Sequence, residues 1–225
     1  MPFKSPSSIA RPPLRKGRRK AAVEPYHHGN LKAALLAAGL KLLKDQGAEA
    51  LGLRELARQA GVSRTAPYRH FDSKDALIAA IAEEGFVKLK SILDETRRVH
   101  EGDAEAWFVE GARQYIRFAT TYAEHFKVMF GDYVKYEPEK HASLHVAANA
   151  AFQTLVDLVT ACQQSRLIKE GDPVAWSIVT WSTLHGFSVL LVHKRLKFVD
   201  DDPESLAAMS ELVARSSLET IRRKR

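Results

Sequence analysis

Residues Leu53 to Lys74, reading LRELARQAGVSRTAPYRHFDSK, constrain the fold of this chain more than any other stretch. They parse as a short helix, a turn at Gly61-Val62-Ser63, a second short helix and a restart at Asp72-Ser73. Leu53, Leu56, Ala57 and Ala60 recur at three- and four-residue spacing, which puts them on one buried face. Gly61 follows directly, where a helix ends in a left-handed residue. The second segment gathers Arg64, Thr65, Tyr68, Arg69 and His70 within seven residues. So short a helix cannot bury that polar face, and its donors suit phosphates and base edges. The pattern predicts a DNA-reading helix-turn-helix.

Charge is distributed to match. Residues 1–75 hold 15 Lys/Arg against 6 Asp/Glu, whereas residues 76–225 hold 19 against 21. The net charge of +7 therefore sits at the end carrying the predicted reader, an electrostatic footprint for a polyanion on one side. With 225 residues, 45% of them hydrophobic, the chain has room for one small module and one larger core. No apolar run approaches membrane-span length, and no secretory-signal pattern follows the N-terminal basic residues. A lone cysteine, Cys162, excludes an intramolecular disulfide framework, and the expected location is the cytoplasm.

Residues 1–24 combine Pro2, Pro6, Pro12, Pro13 and Gly17 with a run of basic residues at 15–20, and read as a disordered basic arm. It is either a solvated tail or an arm that enters a DNA groove. Residues 25–73 read as the helix-turn-helix module. Asn30 can cap a helix to about Gln46, with Leu31, Leu35, Ala38 and Leu42 on one face and Gly47 ending it. Asp72 is the predicted cap of a longer helix that carries Leu77, Ile81, Leu89, Ile92 and Leu93 towards Arg98, with Asp75 near its positive end.

Residues 74–221 read as a second, wholly helical domain, followed by a basic tail at 222–225. Trp107, Gly111, Tyr115, Phe118 and Tyr122 mark one helix from about Asp103, and Leu144, Ala148, Phe152, Leu155, Val159 and Cys162 mark another. Asp172-Pro173 opens the next, with proline at the first helical position. This helix is apolar most of the way round, so it packs inward on one side and against a partner on the other. Asp202-Pro203 opens the last. No segment has strand periodicity, and the predicted fold is all-α.

In this order of elements the chain resembles the TetR/AcrR family of bacterial transcription regulators. The resemblance rests on ALGLRELARQAGVSRTAPYRHFDSKDALIAAI at Ala50–Ile81, YIRFATTYAEHFKVMFG at Tyr115–Gly131 and WSTLHGF at Trp181–Phe187. The last two are similar to a subgroup named for the Trp-His-Gly residues matched by Trp181, His185 and Gly186. The likeness spans most of residues 26–195. It implies a homodimer in which a three-helix N-terminal module reads a pseudo-palindromic operator in double-stranded DNA. The C-terminal helices would enclose a pocket for a small-molecule effector, and the last two would form a four-helix interface with their mates. Repression is the implied sign. The alternative is a DNA-organising protein of the same fold with no effector and a collapsed pocket.

Two departures stand out. Pro67 lies inside the reading helix, where the family often has a longer apolar residue. Proline costs about 3 kcal/mol in a helix interior, so the helix is expected to begin at Ser63 or Thr65. Gly52 takes the usual Ser/Thr cap position, weakening the cap by about a few tenths of a kcal/mol.

Arg64 and Thr65 are the candidates for base edges, since arginine can bond guanine O6 and N7 together and threonine can meet a thymine methyl. Ser63 stands with them at the helix start. Tyr68, Arg69 and His70 suit phosphates or mixed contacts, and Arg54 can reach a phosphate from the first helix. The resemblance puts Tyr68 and Lys74 on the DNA backbone. Tyr68 and Phe71 can equally anchor the reader from within, Phe71 above all. Trp107, Tyr115, Phe118, Phe152, Trp181 and His185 are candidates for lining the effector cavity, or else ordinary core. His141 and His145 stand at i, i+4, but no nearby Cys completes a site, so no metal and no cofactor are expected. Cys162 reads as a small buried hydrophobe. Neither a phosphate-cradling glycine loop nor a nucleophile elbow occurs, so nothing points to an enzyme. The expected partners are DNA, the effector and a second copy of the chain, with no membrane.

Overall fold

The computed structural model describes residues 31–133, 137, 139–200 and 202–223. The basic arm at 1–24, the Asn30 cap and residues 224–225 lie outside the described residues. Within them the chain is all-α, with helices α1 (Leu31–Gln46), α2 (Leu53–Gln59), α3 (Lys74–Val99), α4 (Ala104–Thr121), α5 (Ala123–Phe130), α6 (Ala142–Gln164), α7 (Pro173–Val192), α8 (Lys197–Asp200) and α9 (Pro203–Ile221). The short α8 has no counterpart in the sequence pattern. An isolated backbone bridge pairs Ile168 with Arg222.

Helix ends follow from local chemistry. Gly47 closes α1 with φ +80° and Gly61 follows α2 with φ +67°, conformations that cost glycine nothing. Asp103, Asp172 and Asp202 accept from Ala106 N, Val174 N and Ser205 N at 2.9, 2.9 and 3.1 Å, capping α4, α7 and α9. The cap of α3 is Ser73 rather than Asp72: its hydroxyl accepts from Ala76 N at 3.1 Å. Ser73 has the extended backbone (φ −152°, ψ 171°) from which a side chain turns back onto the first turn.

α3 is the long strut. Its 26 residues span about 39 Å at helical rise. Near its start Leu77 and Ile81 are completely buried. α1 closes on this end through Gly39, where a Cβ would stand 3.1 Å from Ile81 Cδ1. Further along, α3 packs on α4, α5 and α6. α4 lies at the centre and also touches α7 and α9, which pack on each other. Phe108, Ile116, Phe118, Ile168, Leu191 and Leu218 are each at most 1% exposed, and burying a side chain of this size contributes about 1.5–3 kcal/mol.

α7 departs from the sequence reading. Its 20 residues have a mean hydropathy of 1.3 and include no Asp, Glu, Lys or Arg, so it is long and apolar enough to cross a bilayer. The physical reason lies in its two apolar sides. One packs on α4, α6 and α9, while Val174, Val179 and Leu190 remain 39–43% exposed on the outside.

Candidate DNA-reading surface and ligand cavity

The front of the described chain has the helix-turn-helix order, but its second member is not an α-helix. After Gly61, Val62 N bonds back to Ala57 O at 3.0 Å, and Ala66 N bonds Ser63 O at 3.0 Å. A single 3₁₀ turn then covers Pro67–Arg69, with His70 N donating to Pro67 O at 2.9 Å. The expected helix start at Ser63 or Thr65 is therefore corrected to a turn followed by a 3₁₀ segment. Proline contributes to this. Lacking an N–H, Pro67 cannot donate to the Ser63 carbonyl, and that carbonyl takes the Ala66 N–H three residues on instead.

The turn nevertheless sorts its side chains. Pro67 and Phe71 face inward, Phe71 being 2% exposed. Arg54, Ser63, Arg64, Thr65, Arg69 and His70 are exposed, Tyr68 is 51% exposed, and Lys74 is half-buried at the first turn of α3. Of the two aromatics weighed as anchors, Phe71 takes that role and Tyr68 does not. Ser63 Oγ lies 3.3 Å from Thr65 Oγ1. Arg58, Arg97, Arg98, Arg113 and Arg215 all sit in ion pairs, whereas none is found for Arg54, Arg64 or Arg69 among the described residues. Three uncompensated guanidinium groups on one small module can attract and hold phosphates.

Behind this module, α3, α4, α5, α6 and α7 enclose a cavity of about 500 Å³. Trp107, Tyr115, Phe152 and Trp181 line it. Phe118 and His185 are not among the lining residues. Phe118, one turn past Tyr115, is turned into solid core, 1% exposed and 5.3 Å from the Tyr122 ring. His185 sits behind the wall, its ring 4.7 Å from Phe130 and 5.2 Å from Phe126. The Tyr115 hydroxyl lies 2.8 Å from His185 Nδ1 and accepts from Trp181 Nε1 at 3.0 Å. Burial pushes the Tyr115 hydroxyl well above the ordinary phenol range, and burial also lowers the His185 imidazole below its ordinary value.

The sequence reading missed the walls supplied by α3 and α5. Phe86, Leu89 and Leu93 of α3 and Met129 and Phe130 of α5 face the same space, with Phe86 and Phe130 edge to face at 5.5 Å. The available signal was that Phe86, Leu89 and Leu93 recur at three- and four-residue spacing on a helix long enough to leave the first module. α5 approaches α3 closely at Gly85, where a Cβ would meet Met129 Sδ at 2.5 Å. His145 lines the cavity while His141 precedes α6. Among the described residues, no three His, Cys, Asp or Glu converge on a metal-sized site. Cys162 is fully buried, its thiol pushed up to about 12 by burial.

A helix-turn-helix order with exposed arginines, carried on a helical domain, is the arrangement of a class of DNA-binding regulators. Residues 35–81 match the family model for bacterial regulatory proteins of the tetR family, and residues 108–213 match the tetracyclin repressor-like C-terminal domain. The chain belongs to the TetR family. It is 28% identical over 130 residues to the HTH-type transcriptional activator FasR of Mycolicibacterium smegmatis, a match covering 57% of this chain and 58% of that protein. The chain thus spans little more than half the length of this relative. Among solved structures, a protein of unknown function from Rhodococcus sp. RHA1 is 34% identical with a TM-score of 0.70, covering 86% of this chain and 98% of that one. The TetR family regulator PfmR from Thermus thermophilus shares the fold at a TM-score of 0.63 and 20% identity, over 85% and 99% of the two chains.

Proposed function

We propose that the protein is a ligand-responsive repressor that binds a pseudo-palindromic operator as a homodimer in the cytoplasm and is released by a small-molecule effector. The observation that carries this reading is the sharing of α3. The helix that begins beside the reading turn at Lys74 also supplies Phe86, Leu89 and Leu93 to the cavity wall. A ligand that favours one packing of α3 changes the placement of the reader, by as much as its affinity differs between the two states. An open cavity of about 500 Å³ supports an effector over the DNA-organising alternative, for which a collapsed pocket is expected.

In this reading residues 25–73 form the DNA-binding domain and residues 74–221 the effector and dimerisation domain. Arg64 and Thr65 address base edges. Arg54, Ser63, Tyr68, Arg69, His70 and Lys74 hold the phosphate backbone. Trp107, Tyr115, Phe152 and Trp181 meet the effector. The exposed apolar residues of α7, with Leu212 of α9 at 57% exposure, support a dimer built on these two helices. Two reading turns would then enter successive major grooves about 34–36 Å apart. FasR carries the name of an activator, so the sign needs its own measurement. The test is genomic occupancy mapping followed by titration of the recovered site, with transcript levels compared in a deletion strain. Occupancy scattered without a dyad site, or transcripts that fall on deletion, would overturn the reading or its sign respectively.

A further inference from the structure

α7 carries five hydroxyl side chains, and four of them bond back to the carbonyl one turn earlier. Ser177, Ser182, Thr183 and Ser188 donate to Pro173, Ile178, Val179 and Leu184 at 2.7, 2.8, 3.3 and 2.8 Å. That local bond is the ordinary fate of a helical hydroxyl without another partner. Thr180 is the exception. It is 1% exposed, it stands in the cavity wall, and its hydroxyl finds no hydrogen-bond partner among the described residues. A buried, unmade hydrogen bond is costly to leave; the hydroxyl is covered in the empty cavity, so a ligand reaches it by displacing the side chains packed over it.

The charges around the same space lie at its rim, each with a partner of its own. Asp94 and Arg97 are the charged residues of the lining, both at the solvent-reaching rim. Asp94 is paired with Lys90 at 2.5 Å, and Arg97 lies 3.4 Å from Asp157 with its guanidinium 5.3 Å from the centre of the Trp107 ring. Tyr115 is occupied by Trp181 and His185, and His145 has a partner within the protein. The remainder of the wall is mainly aromatic and aliphatic. An ion taken into the depth of such a space, away from Arg97 at the rim, loses its hydration and gains no counter-charge.

Building on the effector reading, we infer that the cavity takes an uncharged, largely apolar molecule with one hydrogen-bonding group, a long-chain ester or alcohol rather than the matching carboxylate, and that Thr180 meets that group. Methyl dodecanoate, 1-dodecanol and dodecane are the neutral probes, with dodecanoate at pH 8 as the ionised one. Binding to the full chain is read by calorimetry and by quenching of Trp107 and Trp181 fluorescence, without DNA. The ester and the alcohol are expected to bind on the order of 100-fold more tightly than dodecanoate, the difference reflecting an unpaired buried charge.

Thr180→Val keeps the shape and removes the hydroxyl. It should weaken the ester and the alcohol by about three- to tenfold, the size of one net hydrogen bond, and leave dodecane unchanged. Circular-dichroism melting of this variant separates lost contact from lost fold. Should Thr180→Val not fold, Thr180→Ser, which keeps the hydroxyl, must reproduce the wild-type preference among the four probes. Dodecanoate binding as tightly as the ester, neutral probes that do not bind, or a Thr180→Val protein indistinguishable from wild type would each overturn the inference. Operator release is measured separately. Neutral probes that bind yet leave operator occupancy unchanged would support the assigned ligand chemistry while removing the effector role.

Discussion

The Tyr115 hydroxyl stands 2.8 Å from Nδ1 of His185 and joins α4 to α7 across the back of the cavity. The indole N–H of Trp181 can only donate and points at the same oxygen at 3.0 Å. The hydroxyl therefore accepts from Trp181 and pairs with His185, whose imidazole value burial lowers. The chain Trp181–Tyr115–His185 fixes the angle at which the Trp181 ring enters the wall.

Tyr115→Phe removes the shared oxygen and leaves an indole N–H and an imidazole nitrogen unpaired. Destabilisation of about 1–3 kcal/mol is expected from urea unfolding. An unchanged midpoint would mean that water or another group replaces the hydroxyl at no cost.

Acid should weaken the C-terminal helical part. His185 and His125 both have imidazole values lowered from the ordinary one, chiefly by burial; for His125, Glu84 pulls the other way and Lys88 adds to the lowering. Below the ordinary value of about 6.5, the unfolded chain binds protons that the folded chain refuses, so stability falls with falling pH. Thermal midpoints should decline between about pH 7 and pH 5, and His185→Gln should flatten part of that slope. A slope of opposite sign would contradict the stated cause.

Pro67→Ala restores the missing N–H. The Ser63 carbonyl can then accept a bond four residues on, and the turn from Ser63 to Arg69 should rewind as α-helix. Amide exchange at residue 67 reports this directly, as does a change in operator affinity. Persistence of the 3₁₀ turn would show that packing around Phe71, rather than proline, sets the geometry.

Arg64→Ala is expected to relax base preference at one position per half-site, at about 1–3 kcal/mol if the contact is bidentate. Lys74→Ala should weaken every duplex alike. Competition against a library of operator variants distinguishes these patterns, and sequence-blind losses for both would remove Arg64 from base reading.

Leu190 and Leu212, at 43% and 57% exposure, lie on the outer side of α7 and α9. Leu190→Glu with Leu212→Glu should leave the melting of dilute protein near wild type while shifting sedimentation to the single subunit. Operator affinity should collapse with it. A doubly substituted protein that still sediments as a dimer would place the interface elsewhere.

Most helices were readable because their boundaries are written locally. Asp-Pro at 172–173 and 202–203 announced α7 and α9, and Gly47 and Gly61 marked the ends of α1 and α2. Ser73 taking the cap from Asp72 was a choice between adjacent residues, decided by backbone angle. The cavity was only half legible. Trp107, Tyr115, Phe152 and Trp181 stood out as aromatics, but Phe118 and His185 belong to the same stripes and lie outside the lining, because helical spacing gives a face and not the gap it borders. The wall formed by Phe86 and Phe130 required knowing that α5 folds back onto α3, over Gly85.

Sequence alone determined the all-α class, the basic front and the helix-turn-helix order, since periodicity, caps and charge act over a few residues. Tertiary structure alone decided which apolar faces close against each other and which stand apart around a void. The same packing left Thr180 without the bond its neighbours make and gave His185 a place behind the wall. Both outcomes depend on contacts between residues far apart in the chain, where local preference carries no information.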